Sequence, residues 1–225
     1  MGKTDSIRVH DQEAHIYDQQ VHEYESFAHD VLFGMCYEYV KPGERLLDLG
    51  IGTGLASLPF AKAGLEVYGL DGSTEMLSVC ESKGFAKELK CFNLLEMHLP
   101  YSEGFFSHVI SCGVFHFFGD IGPIIKEVSR TMGRDGTFAF TVAIPVADTA
   151  KMENNNMKGY VEMDTPWGVS ISAHSHSYLS TILREHGFEM LKRQRMLMRG
   201  ETEGQDDMVF AAYVTRKQKK LPGKK

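Results

Sequence analysis

The sequence predicts an α/β domain: a seven-stranded, mostly parallel sheet with helices on both faces and an antiparallel hairpin at its end. Three observations carry that expectation. Short apolar runs alternate with helical stretches from Arg45 onward. Gly50, Gly52 and Gly54 come directly after the first of those runs. The last two runs are separated by a polar turn through Gly200 and Gly204.

Residues 1–12 show little apolar periodicity and are expected to be loosely attached. From Ala14 to Tyr39 the spacing predicts one helix, with Ile16, Val21, Tyr24, Phe27 and Ala28 on one face and Val31, Leu32, Met35 and Tyr39 continuing it. Lys41-Pro42-Gly43-Glu44 ends it. Strands are then predicted at Arg45–Leu49, Glu66–Leu70, Leu89–Asn93, Phe106–Ser111 and Gly136–Val142. Helices are predicted between them at Leu55–Ala63, Thr74–Lys83 and Gly122–Met132. This alternation makes βαβ units and hence a parallel sheet covered on both faces. Between Pro145 and Ser172 the pattern is lost among Asn154-Asn155-Asn156, Gly159, Pro166 and Gly168. A loop that long inside a domain is usually functional, so 145–172 is expected to be an inserted lid or substrate segment. A helix at Ser177–His186 and strands at Phe188–Met198 and Asp207–Thr215 complete a single domain over 1–215, with a helical lid at about 14–40. Residues 216–225 are expected to be a basic flexible tail.

Composition narrows the function. The chain has 225 residues, 43% hydrophobic and 24% charged, with a net charge of −6. That fits one domain with a real core. It gives no basis for nonspecific attraction to nucleic acid or to an anionic membrane. No apolar run reaches the ~20 residues that span a bilayer. The cysteines Cys36, Cys80, Cys91 and Cys112 form no CxxC pair, so reduced thiols in the cytoplasm are expected and no metal site is.

The glycine loop Asp48-Leu49-Gly50-Ile51-Gly52-Thr53-Gly54 lies between the first strand and the first helix. Glycines there let the backbone turn and let a ligand approach, at the carboxyl end of a parallel strand, where open Rossmann-like sheets bind ligands. Asp71 ends the second strand, 71 − 50 = 21 positions after Gly50. A carboxylate at that place accepts hydrogen bonds from ribose hydroxyls. The dinucleotide fingerprint G-x-G-x-x-G is not met, because the third glycine is Gly54 and Leu55 stands at the dinucleotide position. Asp48, two residues before Gly50, would repel a pyrophosphate but suits a cationic ligand. S-adenosylmethionine, with a sulfonium, an ammonium and no phosphate, therefore fits better than NAD.

Leu46-Leu47-Asp48-Leu49-Gly50-Ile51-Gly52-Thr53-Gly54 resembles the first motif of the class I S-adenosylmethionine-dependent methyltransferases. Asn93 to Pro100, Phe105 to Ser111, Gly133-Arg134-Asp135-Gly136 and His186-Gly187-Phe188 are similar to that family's later motifs, in the same order. The resemblance implies that Gly50, Ile51 and Gly52 line the methionine part of the cofactor and that Asp48 holds its amino group, directly or through water. It implies Asp71 and Gly72 at the ribose, Met76, Asn93 and Leu94 at the adenine, and Cys112 and Gly113 near the methionine end. Asn93 stands where an aspartate is commoner, but its amide oxygen still accepts. Tyr17-Asp18-x-x-Val21-x-x-Tyr24-Glu25 resembles a segment that folds over the cofactor, which places Tyr17 and Tyr24 at the site.

Methyl transfer requires alignment above all, and a general base only where the acceptor must lose a proton. His116, after the fourth strand, is the candidate base; His15, His174 and His176 are weaker ones. An aromatic acceptor pocket is expected from Phe105, Phe106, Phe115, Phe117, Phe118, Tyr160 and Trp167. No Asn-Pro-Pro-Tyr type motif comes after the fourth strand, which points to a small-molecule acceptor. An NAD-dependent oxidoreductase and a non-catalytic S-adenosylmethionine-binding module are the alternatives.

Overall fold

The computed structural model describes residues 4–96, 98–145, 158–164, 169–198 and 208–218. Five parallel strands form its centre: β1 (Arg45–Leu49), β2 (Glu66–Asp71), β3 (Glu88–Cys91), β4 (Phe106–Ser111) and β5 (Met132–Ala143), in the order β3-β2-β1-β4-β5. The backbone runs extended through β1, so Leu46 and Leu47 point to opposite faces, and both are fully buried. Both sides of the sheet are therefore apolar, as in any parallel sheet covered by helices. Leu47, Leu49, Phe138 and Phe140 pack on one face with Ile125 and Val128 of α6 (Gly122–Thr131) and with Leu179 and Leu183 of α7 (His176–Glu185). Leu46, Val67, Ile110 and Val214 pack on the other face. They meet Leu32 of α3 (Ala28–Cys36), Phe60 of α4 (Leu58–Lys62) and Leu77 of α5 (Thr74–Ser82).

The terminal hairpin is present. β8 (Phe188–Met198) pairs antiparallel with β9 (Met208–Lys217), and β9 lies antiparallel on β5 from Thr137↔Arg216 to Ala143↔Phe210. Arg216 and Lys217 thus belong to the sheet and not to a tail: the Lys217 ammonium donates to the Ser129 and Met132 carbonyls, at 2.5 and 2.7 Å.

The sheet holds nine strands among the described residues, two more than predicted. Both extra strands lie at the end of the segment without sequence periodicity. β6 (Tyr160–Asp164) and β7 (Ser170–His174) form an antiparallel pair. β4 stops pairing with β5 at Ser111↔Phe140, while at Ala143 one edge of β5 is held by Phe210 of β9. The pairing of Ala143 with Ala173 of β7 therefore uses the edge that β4 vacates. The β6–β7 hairpin sits beyond the carboxyl end of β4, beside the 3-10 turn Phe115–Phe117.

The amino-terminal region also departs from expectation. Residues from Thr4 are ordered as α1 (Thr4–Glu13), and the single helix expected over 14–39 is broken into α2 (Tyr17–Glu23), α3 and a 3-10 turn at Tyr37–Tyr39. Glu25, with φ of 50°, takes the left-handed region and forces the break. α1 and α2 are tied to the sheet by polar side chains. The Ser73 hydroxyl donates to Asp11 Oδ1 at 2.5 Å, the Thr53 hydroxyl to Asp18 Oδ1 at 2.5 Å, and the Lys83 ammonium to Asp18 Oδ2 at 2.5 Å.

Candidate functional site

The strand order reverses at β1, whose neighbours are β2 and β4. The loops that leave β1 and β4 diverge there and open a crevice. The loop after β1 is the glycine loop. Gly50 and Ile51 donate their N–H groups to the Leu70 carbonyl at 2.7 and 3.0 Å, which folds the loop back over β2. Gly52 has a φ of 53°, and a Cβ placed on it would meet nothing within 4 Å, so its backbone faces open space. Gly54 differs: with φ of 87°, its Cβ would lie 2.5 Å from the Phe85 ring and 2.8 Å from Cys80 Sγ. The first fits close approach of a ligand; the second is required for packing.

Asp71 closes the other side of the crevice. Its Oδ2 accepts from Gly52 N–H at 2.7 Å and its Oδ1 from Ser73 N–H at 2.8 Å. Each oxygen keeps a second lone pair for an incoming hydroxyl. Ser73 caps α5 by accepting from Met76 N–H at 3.1 Å, so one short turn positions both the acid and the helix that carries Met76.

Two cavities share the glycine loop. The first, about 250 Å³, is lined by Asp71, Gly72, Met76, Asn93 and Leu94. The second, about 380 Å³, is lined by Tyr24, Ile51, His116, Ile171 and Phe210 among others. Tyr17, Gly50, Gly52, Cys112 and Gly113 line both. Twelve of the thirteen residues expected at the cofactor therefore line these two adjoining cavities, together with the expected base His116. Asn93 lies just past β3 and not within it, and its side-chain oxygen accepts from Leu95 N–H at 3.0 Å.

Asp48 is the exception, because it lines neither cavity. It sits behind the loop, where the Ser57 hydroxyl donates to its Oδ2. Its Oδ1 is buried and has no hydrogen-bond partner. Burial pushes its carboxyl up to about 7, the Ser57 hydrogen bond opposes that, and the nearby Asp71 charge adds to it. A buried carboxylate with one unmet oxygen is a site that a cation, or water held by one, would satisfy. The open backbone at Gly52, the acceptors of Asp71 and this orphaned oxygen together fit S-adenosylmethionine.

Burial holds three further groups here neutral: Tyr17, Cys112 and His116. Burial raises the Tyr17 phenol to about 12, helped by Cys112, Asp71 and Asp18, and raises the Cys112 thiol to about 12. Burial drives His116 down to about 3, with His10 and His174 opposing a further positive charge. The other histidines fall elsewhere. His174 is buried in β7 and bonded through Nε2 to the Gly119 carbonyl at 2.8 Å, His176 begins α7 beside Tyr213, and His15 is exposed.

Of the aromatic residues expected around the acceptor, Phe117 lines both cavities and Phe118 the first. Phe106 and Phe115 are core, and Phe105 packs on Tyr68 and Tyr101. Tyr160 closes over Gly119 and His174. Trp167 lies outside the described residues. Sequence reasoning missed His10 and Ile7, which enter the first cavity from α1, and Phe210 from β9. Ile7 fills the space beside Gly72, where a Cβ would meet its Cδ1 at 2.8 Å. Ile7, His10 and Asp11 share a helical face, which was the available signal.

A family model described as "Methyltransferase domain" matches residues 47–140, from β1 into β5. A demethylmenaquinone methyltransferase of Bacillus mycoides is 36% identical over 103 residues, covering 43% of this chain and 44% of that protein. A 23S rRNA (uracil(1939)-C(5))-methyltransferase of Shewanella sp. is 40% identical over 90 residues, covering 40% of this chain and 18% of that protein. The chain thus spans less than half the length of either relative. Among solved structures, Burkholderia thailandensis 1,6-didemethyltoxoflavin-N1-methyltransferase, with 1,6-didemethyltoxoflavin and S-adenosylhomocysteine bound, superposes with a TM-score of 0.68 at 16% identity. That superposition covers 96% of this chain and 87% of the other, and is a likeness of fold.

Proposed function

We propose that this chain, whose residues 47–140 match a methyltransferase domain, works as a class I S-adenosylmethionine-dependent methyltransferase and transfers a methyl group by direct displacement to a small-molecule acceptor. The observation that carries this reading is that two adjoining cavities share Gly50, Gly52, Cys112 and Gly113 as lining. One cavity has the carboxylate of Asp71 and the apolar walls a nucleoside needs, and the other is a separate chamber across the same loop.

The cofactor, when bound, supplies an electrophilic methyl and its own sulfonium leaving group. The chain's residues bind and orient. Asp71 accepts from the ribose hydroxyls, with Gly72 beside it, while Met76 packs on the adenine and Asn93 and the Leu94 backbone meet its edge. Gly50, Ile51 and Gly52 pass beside the methionine part, and Asp48 balances its ammonium through the orphaned Oδ1. Tyr17 and Tyr24 cover the methionine end, so α1 and α2 act as a lid; the β6–β7 hairpin closes the acceptor side. His116 takes the proton when an acceptor must lose one. Its ring is neutral above about pH 3 and so remains able to accept, though as a weak base.

A small molecule is preferred to nucleic acid as acceptor because the chamber is walled by α1, α2 and β7 and the net charge is −6. No helix among the described residues is long and apolar enough to cross a membrane. The four unpaired cysteines support a reducing compartment, the cytoplasm. The test is transfer of labelled methyl from S-adenosylmethionine to a panel of small molecules, with an RNA transcript included because one relative is named for 23S rRNA. Calorimetry with S-adenosylhomocysteine and NAD accompanies it. Label on a small molecule is expected; label on RNA alone overturns the acceptor class, and binding of NAD alone overturns the cofactor.

A further inference from the structure

The second cavity is walled by a run of rings. Tyr17, His10, Phe117, His116 and Phe210 all line it. Successive ring centroids lie 6.1, 5.6, 4.1 and 5.3 Å apart, so the rings form one unbroken strip from the lid helices to β9. All four contacts are tilted or edge-on, at 56°, 81°, 46° and 84°, which leaves ring faces and edges turned in several directions. Planar ligands gain from such walls by offset stacking and edge contacts that a puckered ligand of equal size does not make.

Charge narrows the ligand further. The described lining residues include the carboxylate Glu13 but no lysine or arginine, and Glu13 is exposed. An anion entering would lose its water with no lysine or arginine among these residues to replace it. A cation would meet the ring faces favourably, but it would also stand beside the positive cofactor, and an exposed Glu13 offers it little.

Resting on the methyltransferase reading, we propose that the acceptor chamber selects an uncharged, planar aromatic molecule held along the Tyr17–His10–Phe117–His116–Phe210 strip. The strip borders the cofactor cavity as well, since Tyr17, His10 and Phe117 line both. A substituent at one end of such a ring system is thereby presented to the methionine end of the cofactor.

The experiment is calorimetric titration of the protein, with and without saturating S-adenosylhomocysteine, by four probes of one size. These are 1-naphthol, 1-naphthoate, 1-naphthylmethylammonium and the saturated alcohol decahydro-1-naphthol. The expected result is that 1-naphthol binds at least tenfold more tightly than each of the other three. Phe210→Leu, which keeps the chamber apolar, is expected to weaken 1-naphthol about three- to tenfold while leaving S-adenosylhomocysteine affinity unchanged. If S-adenosylhomocysteine binds but naphthoate, the ammonium or the saturated alcohol binds as well as naphthol, or nothing binds, the proposal is overturned. Retention of the naphthol preference by a protein that does not bind S-adenosylhomocysteine would instead overturn the cofactor reading and leave the chamber's selectivity standing.

Discussion

Two carboxylates flank the glycine loop, and their surroundings separate their tasks. Asp71 is anchored, with each oxygen accepting a backbone N–H and keeping a lone pair for a ligand. Asp48 is buried with one oxygen unmet, and its carboxyl titrates near 7. Because this value lies above the unfolded value of 3.8, the folded chain binds more protons than the unfolded one in between. Asp48 therefore costs no stability below about pH 4, and an increasing amount as pH rises towards about 7. Without ligand, Asp48→Asn is expected to melt above the wild type at pH 8, with the gap closing as pH falls to 4. A gap that does not change with pH removes the raised value. The same residue predicts a linkage to binding. If the cofactor's ammonium favours the ionised carboxyl, S-adenosylhomocysteine binding at pH 6.5 releases protons in the wild type and fewer in Asp48→Asn. Calorimetry in buffers of different ionisation heat reads this directly, and equal release in the two proteins contradicts the role. The sequence placed Asp48 beside the ligand because it stands two residues before Gly50; that β1 turns this side chain inward, towards Ser57, is set by strand alternation and the neighbouring helix.

Elements that keep one periodicity over their whole length were legible from the sequence. β1, β2, β4 and the terminal hairpin fall within a few residues of expectation because each is apolar and bounded by turn residues. The failures have physical causes. The apolar face expected through 14–39 includes Phe27, which is 61% exposed, because the left-handed Glu25 rotates α3 out of phase with α2. Tyr160-Val161-Glu162-Met163-Asp164 and Ser170-Ile171-Ser172-Ala173-His174 carry period-two alternation, but each spans only five residues amid Asn, Gly and Pro. α1 was missed because it attaches through polar side chains and few apolar ones. That attachment makes a prediction for the element. Asp18 receives hydrogen bonds from both Thr53 and Lys83, and Asp11 from Ser73. The double variant Asp11→Ala/Asp18→Ala is expected to speed amide exchange in residues 4–24 at least tenfold and to raise the dissociation rate of S-adenosylhomocysteine. Exchange through β1, β4 and β5 should stay unchanged, since those strands are buried in the core. Uniform acceleration throughout the chain would mean that α1 and α2 are part of the global folding unit and not a separable lid.

For the molecule as a whole, the sheet order places the β1 and β4 loops, the lid helices and the β6–β7 hairpin around one space, so ligand binding draws on contacts from both halves of the chain. A ligand that binds only the folded state stabilises it by about 2.7 kcal/mol at a hundred times its dissociation constant. For a chain of this size, each 1 kcal/mol raises the melting temperature by roughly 2–4 °C. S-adenosylhomocysteine at that concentration is therefore expected to raise it by about 5–10 °C. NAD at the same concentration should leave it unchanged, because Leu55 and the carboxylate of Asp48 suit a phosphate-free cation. Asp71→Ala removes the ribose acceptor and also the anchor of Gly52 and Ser73. Two effects should then appear together: a ligand-free stability lower by about 1–3 kcal/mol for two lost part-buried hydrogen bonds, and a ligand-induced rise in melting temperature that all but disappears. The pairing is informative. A lower baseline with an undiminished rise would make Asp71 a structural clamp of the loop, whereas an unchanged baseline with no rise would confine it to ligand contact. Only the combined result matches a carboxylate that holds the loop with one set of lone pairs and the ribose with the other.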